Sequence, residues 1–249
     1  MKKVFINPAM SLTLSRLGLL TFEDFWSLRA RPFKRKRDRE IRTFTLDGKT
    51  YYLKRYFRLP RWGKSGAETE WEGAFKLLRA GFSVPLPVCL GIERNFWRGR
   101  AFTLFQAARG QRLEDLFRKE LSLKIVSRLA ETAGRFHARG YSHQDFYLCH
   151  FFWDEKEQRL TIIDLQRLRW ARSPKRRWII KDLAELFYSA RDILSSREAR
   201  VFEEEFLKIY GSYLPWTREK TFWSRVERKI KRIARHDEKL KAKRLDPRT

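Results

Sequence analysis

Two acids in the second half of the chain are ordered for phosphoryl transfer. Asp145 lies in the stretch His143-Gln144-Asp145-Phe146-Tyr147-Leu148-Cys149-His150, and Asp164 follows the short apolar run Leu160-Thr161-Ile162-Ile163. A loop acid, a metal-ligand candidate at His150 and a second acid at a strand end form a known order of parts. In that order the first carboxylate orients an acceptor hydroxyl and the second holds Mg²⁺. Phosphoryl transfer demands positioning and charge neutralisation more than covalent help, so two acids and a Lys from elsewhere suffice. Singly, Asp145 also reads as a turn or cap residue and Asp164 as a strand-end Asx turn. Their pairing behind an apolar strand favours chemistry.

The cation is Lys54, in Tyr51-Tyr52-Leu53-Lys54-Arg55-Tyr56. A Lys turned inward between large apolar side chains is costly unless paired, so it calls for an anion. Glu70, on the helix that follows, supplies a candidate that would hold the Lys against nucleotide phosphates, and Glu68 and Glu72 lie on the same helix. The alternative is an exposed edge Lys beside Arg55. No Gly-x-Gly-x-x-Gly loop precedes Lys54. In its place is Lys34-Arg35-Lys36-Arg37-Asp38-Arg39, which either covers nucleotide phosphates or is a solvated charge run.

The elements that must hold these residues follow from periodicity and turn chemistry. Strands are predicted at Phe25 to Phe33, Glu40 to Leu46 and Lys49 to Tyr56, the last two joined by the hairpin signal Asp47-Gly48. A helix is predicted from Ser65 to Ala80, with Trp71, Ala74, Phe75 and Leu78 on one face and Gly81 as its stop. Strands at Val88 to Ile92 and Ala101 to Phe105 complete a five-stranded antiparallel sheet with one main helix. Gln106 to Gly110 then reads as a connector. Helices are expected at Leu121 to Arg139, Trp178 to Ile193, Arg197 to Tyr210 and Thr217 to Lys243, the last with Phe222, Val226, Ile230 and Ile233 in a stripe. The expected division is a nucleotide-binding lobe at 1–107 and a mainly helical catalytic lobe at 108–249.

Composition supports a packed chain with an anionic partner. In 249 residues, 43% hydrophobic and 15% aromatic content can bury a large core despite 35% charge. Lys and Arg number 56 against 30 acids, a net charge of +26 that attracts nucleic acid, an anionic membrane face or a phosphorylated glycolipid. The basic residues concentrate between Arg29 and Arg61, in Arg167 to Arg177 and along Arg218 to Arg248, and Trp170 and Trp178 flank Lys175-Arg176-Arg177. These tryptophans either reach lipid headgroups or pack into the core. Cys89 and Cys149 make no disulfide framework or zinc site, which points to a reducing compartment. No signal-peptide pattern or spanning apolar run is seen, so a cytoplasmic location with surface membrane contact is expected.

Lys, helix Glu, connector, His-x-Asp, strand-end Asp and then Lys181-Asp182-Leu183-Ala184-Glu185-Leu186 is the order of parts in protein-kinase-like enzymes. More narrowly, the chain resembles the bacterial lipopolysaccharide core kinases, the heptose and 3-deoxy-manno-octulosonate (Kdo) kinases, over roughly residues 25–195. The matching residues are Tyr52 to Tyr56, Glu70-Trp71 with Leu78, Gly81 and Pro85, His143 to Phe151, Ile163 to Arg167 and Asp182-Leu183-Ala184. The run from Asp145 to His150 is the specific part.

The resemblance implies a bilobal α+β fold and an ATP- and Mg²⁺-dependent phosphotransferase. Asp145 would be the catalytic base, Asp164 the Mg²⁺ ligand, Lys54 the phosphate anchor and Glu70 its partner. Asp182 would brace the catalytic loop, although it also reads as a helix cap. His143 reads as a packing residue and Cys149 as a small buried hydrophobe. His150 stands where protein kinases carry a metal-binding Asn. Imidazole suits Mg²⁺ poorly, which leaves His150 to hydrogen-bond a phosphate or Asp164. Gln144 replaces the usual Arg and no Ala-Pro-Glu end follows Asp164, so activation-loop control is not expected. The implied acceptor is a sugar hydroxyl of the lipopolysaccharide core at the cytoplasmic membrane face, with no nucleic-acid partner. A soluble aminoglycoside- or choline-type kinase and a basic nucleic-acid-binding protein are the rival readings.

Overall fold

The alternation in Lys49–Tyr56 builds the strand on which the first half of the molecule is organised. In a computed structural model that describes residues 2–94 and 99–245, the chain divides into two compact units, Met1–Arg109 with Ile162–Arg167, and Gly110–Thr161 with Leu168–Thr249. The first holds a six-stranded antiparallel sheet in the order β1-β5-β6-β4-β3-β2, with β1 Lys2–Ile6, β2 Arg31–Arg35, β3 Arg39–Leu46, β4 Lys49–Tyr56, β5 Pro87–Arg94 and β6 Gly99–Gln106.

On β4, successive side chains take opposite faces. Tyr51, Leu53 and Arg55 enter a core made with Phe22, Phe25, Phe102 and Leu104. Arg55 is tolerated there because its guanidinium pairs with Glu40 at 2.9 Å and donates to the carbonyls of Phe25 and Leu28. Lys54 and Tyr56 take the other face, toward α3 (Gly66–Arg79).

The expected five strands are six. The additional strand, β1, pairs with β5 from Lys2↔Glu93 to Ile6↔Cys89 and is largely exposed, so it lacks the buried alternation that announces a strand. The strand expected at Phe25 to Phe33 is also corrected. Two short helices, α1 (Ser11–Arg16) and α2 (Phe22–Ser27), precede β2, and α2 begins in a capping box in which Thr21 and Asp24 satisfy each other's backbone amides. Phe22, Phe25 and Trp26 follow helical spacing, with both phenylalanines fully buried. Another capping box, Ser65 with Glu68, starts α3, which stops before Gly81 at φ +76°. Its inward face carries Ala67, Glu70, Ala74 and Leu77, whereas Leu78 is exposed.

The second unit is mainly helical: α4 Leu113–Phe117, α5 Leu123–Ala138, α6 Arg176–Ile193, α7 Ser196–Tyr213 and α8 Lys220–Leu245. Short strands interrupt it, β7 Gln111–Arg112, β9 Phe151–Asp154 and β10 Arg159–Ile162 in one sheet and β8 Tyr141–Ser142 with β11 Arg169–Trp170 in another. Phe136, Leu183, Phe187, Phe202, Phe206 and Tyr210 fill its core. Phe222, Val226 and Ile230 turn the buried stripe of α8 inward, and Ile233 is half-buried. The helix starts three residues later than expected because Pro215–Arg218 forms a separate 3₁₀ turn. The end of the basic run, residues 246–249, lies outside the described residues.

Gly140 ends the connection from α5 at φ +79°, where an added Cβ would lie 1.9 Å from the carbonyl oxygen of Ala171. Gly48 has φ +69° and open space around it. Gly140→Ala is therefore expected to destabilise by about 2 kcal/mol or more and Gly48→Ala by about 1 kcal/mol. Urea unfolding followed by tryptophan fluorescence checks the order, and equal midpoints for the two variants would contradict it.

Candidate active site

The chemistry-bearing residues fall into one group in each unit. In the first, the Nζ of Lys54 is 2.6 Å from Glu70 Oε1 and 3.3 Å from Asp164 Oδ1. Lys54 is delivered by β4, between Ile41 of β3 and Thr103 of β6, and Glu70 by the inward face of α3. The other Glu70 oxygen accepts from the Tyr56 hydroxyl at 3.3 Å and Thr103 Oγ1 at 3.4 Å. Of the three candidate carboxylates, Glu70 is thus the partner. Glu68 is used in the cap of α3 and by Arg94, while Glu72 meets Lys64 near the surface.

Asp164 is held at φ +60°, a left-handed conformation that is uncommon outside glycine, Asn and Asp. The following turn, Leu165–Arg167, belongs to the same unit, and there Gln166 accepts a hydrogen bond from Arg39 at the end of the basic turn. Burial works against the charge of Lys54, but Glu70 and Asp164 outweigh it and raise its pKa. Burial, with Asp164 adding to it, pushes the Glu70 carboxyl upward against the pull of Lys54. Burial and the same two acids hold the Tyr56 hydroxyl well above its usual range.

The second group is the loop from His143 to His150 and the helix beneath it. Asp182 is fully buried in α6. Its Oδ2 accepts from the backbone N–H of His143 at 2.7 Å and Ser142 Oγ at 2.8 Å, and its Oδ1 from the N–H of Gln144 at 2.8 Å. His137 Nε2 lies 3.2 Å from Oδ2, and its Nδ1 hydrogen-bonds the Tyr210 hydroxyl at 2.7 Å. Burial disfavours the charge, yet these donors win and lower the Asp182 pKa. Asp182 sits mid-helix, so it is no cap, and it holds the backbone just before Asp145.

Asp145 itself is partly exposed, and its carbonyl accepts from His150 Nδ1 at 2.6 Å. His143 is buried, with its ring against Phe146 and His150. Cys149 is half-buried rather than the buried hydrophobe expected.

Sequence reasoning passed over Thr103, Lys181, Glu185 and Ser189. Thr103 had one signal, a polar residue inside the apolar run from Ala101 to Phe105. The other three had another, polar positions recurring on one face of an apolar helix. Trp170 is 56% exposed, while Trp178 is half-buried under the guanidiniums of Arg169 and Arg177.

The model of the lipopolysaccharide kinase (Kdo/WaaP) family matches residues 23–210. The chain belongs to that family. It is 27% identical over 218 residues to the lipopolysaccharide core heptose(I) kinase WaaP of Pseudomonas aeruginosa, covering 76% of this chain and 80% of that one. Its identity to the corresponding Escherichia coli kinase is 26%, with the same coverage. Among solved structures, WaaP in complex with acyl carrier protein superposes with a TM-score of 0.71 at 25% identity, covering 92% of this chain and 98% of that one. A thermostable mutant of the aminoglycoside phosphotransferase APH(4)-Ia shares the fold, at 14% identity and a TM-score of 0.52 over 90% of this chain and 99% of that one. As a member of this family the chain is an ATP-using kinase.

Asp182→Asn would turn an amide NH₂ toward donors that need an acceptor. A loss of about 3 kcal/mol is expected, the scale for breaking a buried charged network. Chemical denaturation measures it, and a change below about 1 kcal/mol would remove the bracing role. Because the Asp182 pKa is lowered by folding, its contribution is present above the ordinary carboxylate pKa and lost as pH falls through the folded value. The gap between wild type and variant should therefore narrow in acid.

Proposed function

We propose that the protein transfers the γ-phosphoryl group of ATP to a sugar hydroxyl, of heptose or Kdo, in the lipopolysaccharide core. The observation that carries this reading is the sharing of one ammonium, Lys54, by two carboxylates, Glu70 and Asp164, in a chain of this family. Carboxylate oxygen is the donor type Mg²⁺ selects. Asp164 would hold the ion, whose chemistry is to neutralise charge on the phosphate oxygens.

Lys54, kept charged by Glu70 and Asp164, anchors the nucleotide phosphates, and Tyr56 and Thr103 hold Glu70 in place. Asp145 accepts or orients the proton of the attacking hydroxyl. His150 would hydrogen-bond a phosphate or Asp164 rather than hold the metal, since imidazole is a poor ligand for a hard cation. The basic turn around Lys36 and Arg37 adds positive charge beside the phosphates in place of glycine amides.

The acceptor reading also rests on the surface around Trp170. Arg169, Arg172, Lys175 and Arg177 are exposed with it, and none of the four pairs with a carboxylate among the described residues. Cations left unpaired beside an exposed indole fit an acidic glycolipid in an anionic leaflet, on the cytoplasmic face where ATP is present.

Purified protein with Mg-ATP should add one phosphate to core-truncated lipopolysaccharide, read by mass spectrometry, and chelation of Mg²⁺ should abolish the transfer. Asp145→Asn is expected to lower kcat by about 10²- to 10⁴-fold at unchanged melting temperature. Transfer at the wild-type rate by the folded variant would refute the assignment. Trp170→Ala combined with Arg172→Ala should weaken binding to vesicles containing anionic lipid without changing the KM for ATP. Equal vesicle binding by variant and wild type would rule out that surface.

A further inference from the structure

Asp182 holds the amides of His143 and Gln144, but it does not reach the two peptide groups that adjoin Asp145. Those are held by other means. The carbonyl of Gln144, which belongs to the peptide entering Asp145, accepts a hydrogen bond from Lys181 Nζ. The N–H of Phe146, in the peptide leaving Asp145, donates to Glu185 Oε2 at 3.0 Å. The carbonyl of that same peptide accepts from His150 Nδ1 at 2.6 Å. Fixing the planes on both sides of one Cα fixes its φ and ψ, and with them the direction of its Cα–Cβ bond.

We infer that the Lys181–Glu185 ion pair is a positioning element that aims the Asp145 carboxylate, a role separate from the bracing by Asp182. This rests on the phosphotransferase reading, in which Asp145 is the base. The two residues stand one turn apart on α6, and Lys181 Nζ also donates to Glu185 Oε1, so each orders the other. Ser189, one turn further, accepts from the N–H of Leu148 at 3.0 Å. Lys181, Asp182, Glu185 and Ser189 thus form a ladder on one face of α6 that meets the loop at residues 143, 144, 146 and 148.

The loop has reason to need it. Gln144 has φ +65°, a conformation that costs an ordinary residue roughly 1 kcal/mol. Its N–H is secured by Asp182 and its carbonyl by Lys181, so relaxation of either peptide would turn Asp145 away. Glu185 is largely buried, and burial pushes its carboxyl upward against the pull of Lys181. The pair is therefore a unit, because removing the Lys leaves an uncompensated acid at the Phe146 amide.

The test compares steady-state kinetics of Lys181→Met, Lys181→Arg, Glu185→Gln and the Met/Gln double variant, each assayed at equal folded fraction. Lys181→Met is expected to lower kcat by about 10- to 100-fold with both KM values within about threefold, since a displacement near 1 Å costs on that order. Lys181→Arg, which keeps a donor at the Gln144 carbonyl, should recover kcat to within about fivefold of wild type. The double variant should be no slower than the slower single, as for residues acting through one loop. A kcat for Lys181→Met within twofold of wild type overturns the inference, and so do multiplicative losses in the double variant. If Lys181→Met does not fold, Glu185→Gln decides, and a kcat within twofold of wild type overturns the proposal. Wild-type protein that transfers no phosphate from ATP would instead sink the phosphotransferase reading, so the two failures are distinguishable.

Discussion

Charge buried in this protein is held by more than one partner, and the placement of the candidate catalytic groups depends on that. The carboxylate of Asp182 is closed off from water yet ionised because two backbone amides, a hydroxyl and an imidazole reach it. Losing any one donor would leave the rest, so the site tolerates fluctuation better than a single ion pair would. Two of those donors are backbone amides of the loop that presents Asp145. Solvating a buried acid and shaping the loop of a candidate base are here one structural solution.

The first unit follows the same logic with the sign reversed. Lys54 is a cation in an apolar strand, and Glu70 and Asp164 compensate it from a helix and a turn. Tyr56 and Thr103 then occupy the second oxygen of Glu70, which stops that carboxylate from rotating away. Arg55, the neighbour of Lys54, points to the opposite face and is neutralised by Glu40 and two carbonyls, where it ties α2 to the sheet. Adjacent basic residues on one strand therefore do unrelated work, one on the side of the candidate site and one in the core.

Elements with a strong local signal were legible in advance. The hairpin over β3 and β4 follows from Asp47-Gly48 and alternation, α3 from Ser65 and Gly81, and the four long helices of the second unit from their apolar stripes. Elements that owe their form to distant partners were not. β1 is a strand because β5 lies beside it, and its apolar residues Val4 and Ile6 are only partly buried against the core. The end of α2, from Phe25 to Ser27, was read as the start of a strand because Phe25 and Trp26 fit either period over so short a run, and the Thr21–Asp24 cap decides for the helix. The inward line of α3 passes through Leu77 rather than Leu78 because Glu70, a charged residue, lies on the buried side.

Residue order alone singled out Lys54, Asp145 and Asp164 as candidates for a kinase's chemistry, since those types in that order are a pattern that a linear string can display. It also determined the helical and strand periods on which they ride. The pairing of Lys54 with Glu70, expected from the resemblance but left open against Glu68 and Glu72 by spacing, is settled by the tertiary structure, because it turns on which side of α3 faces the sheet. Only the tertiary structure revealed Lys181 and Glu185 on either side of Asp145. Such bonds run from side chains to backbone groups, which are alike at every position and leave no mark in the amino-acid sequence until folding brings them together.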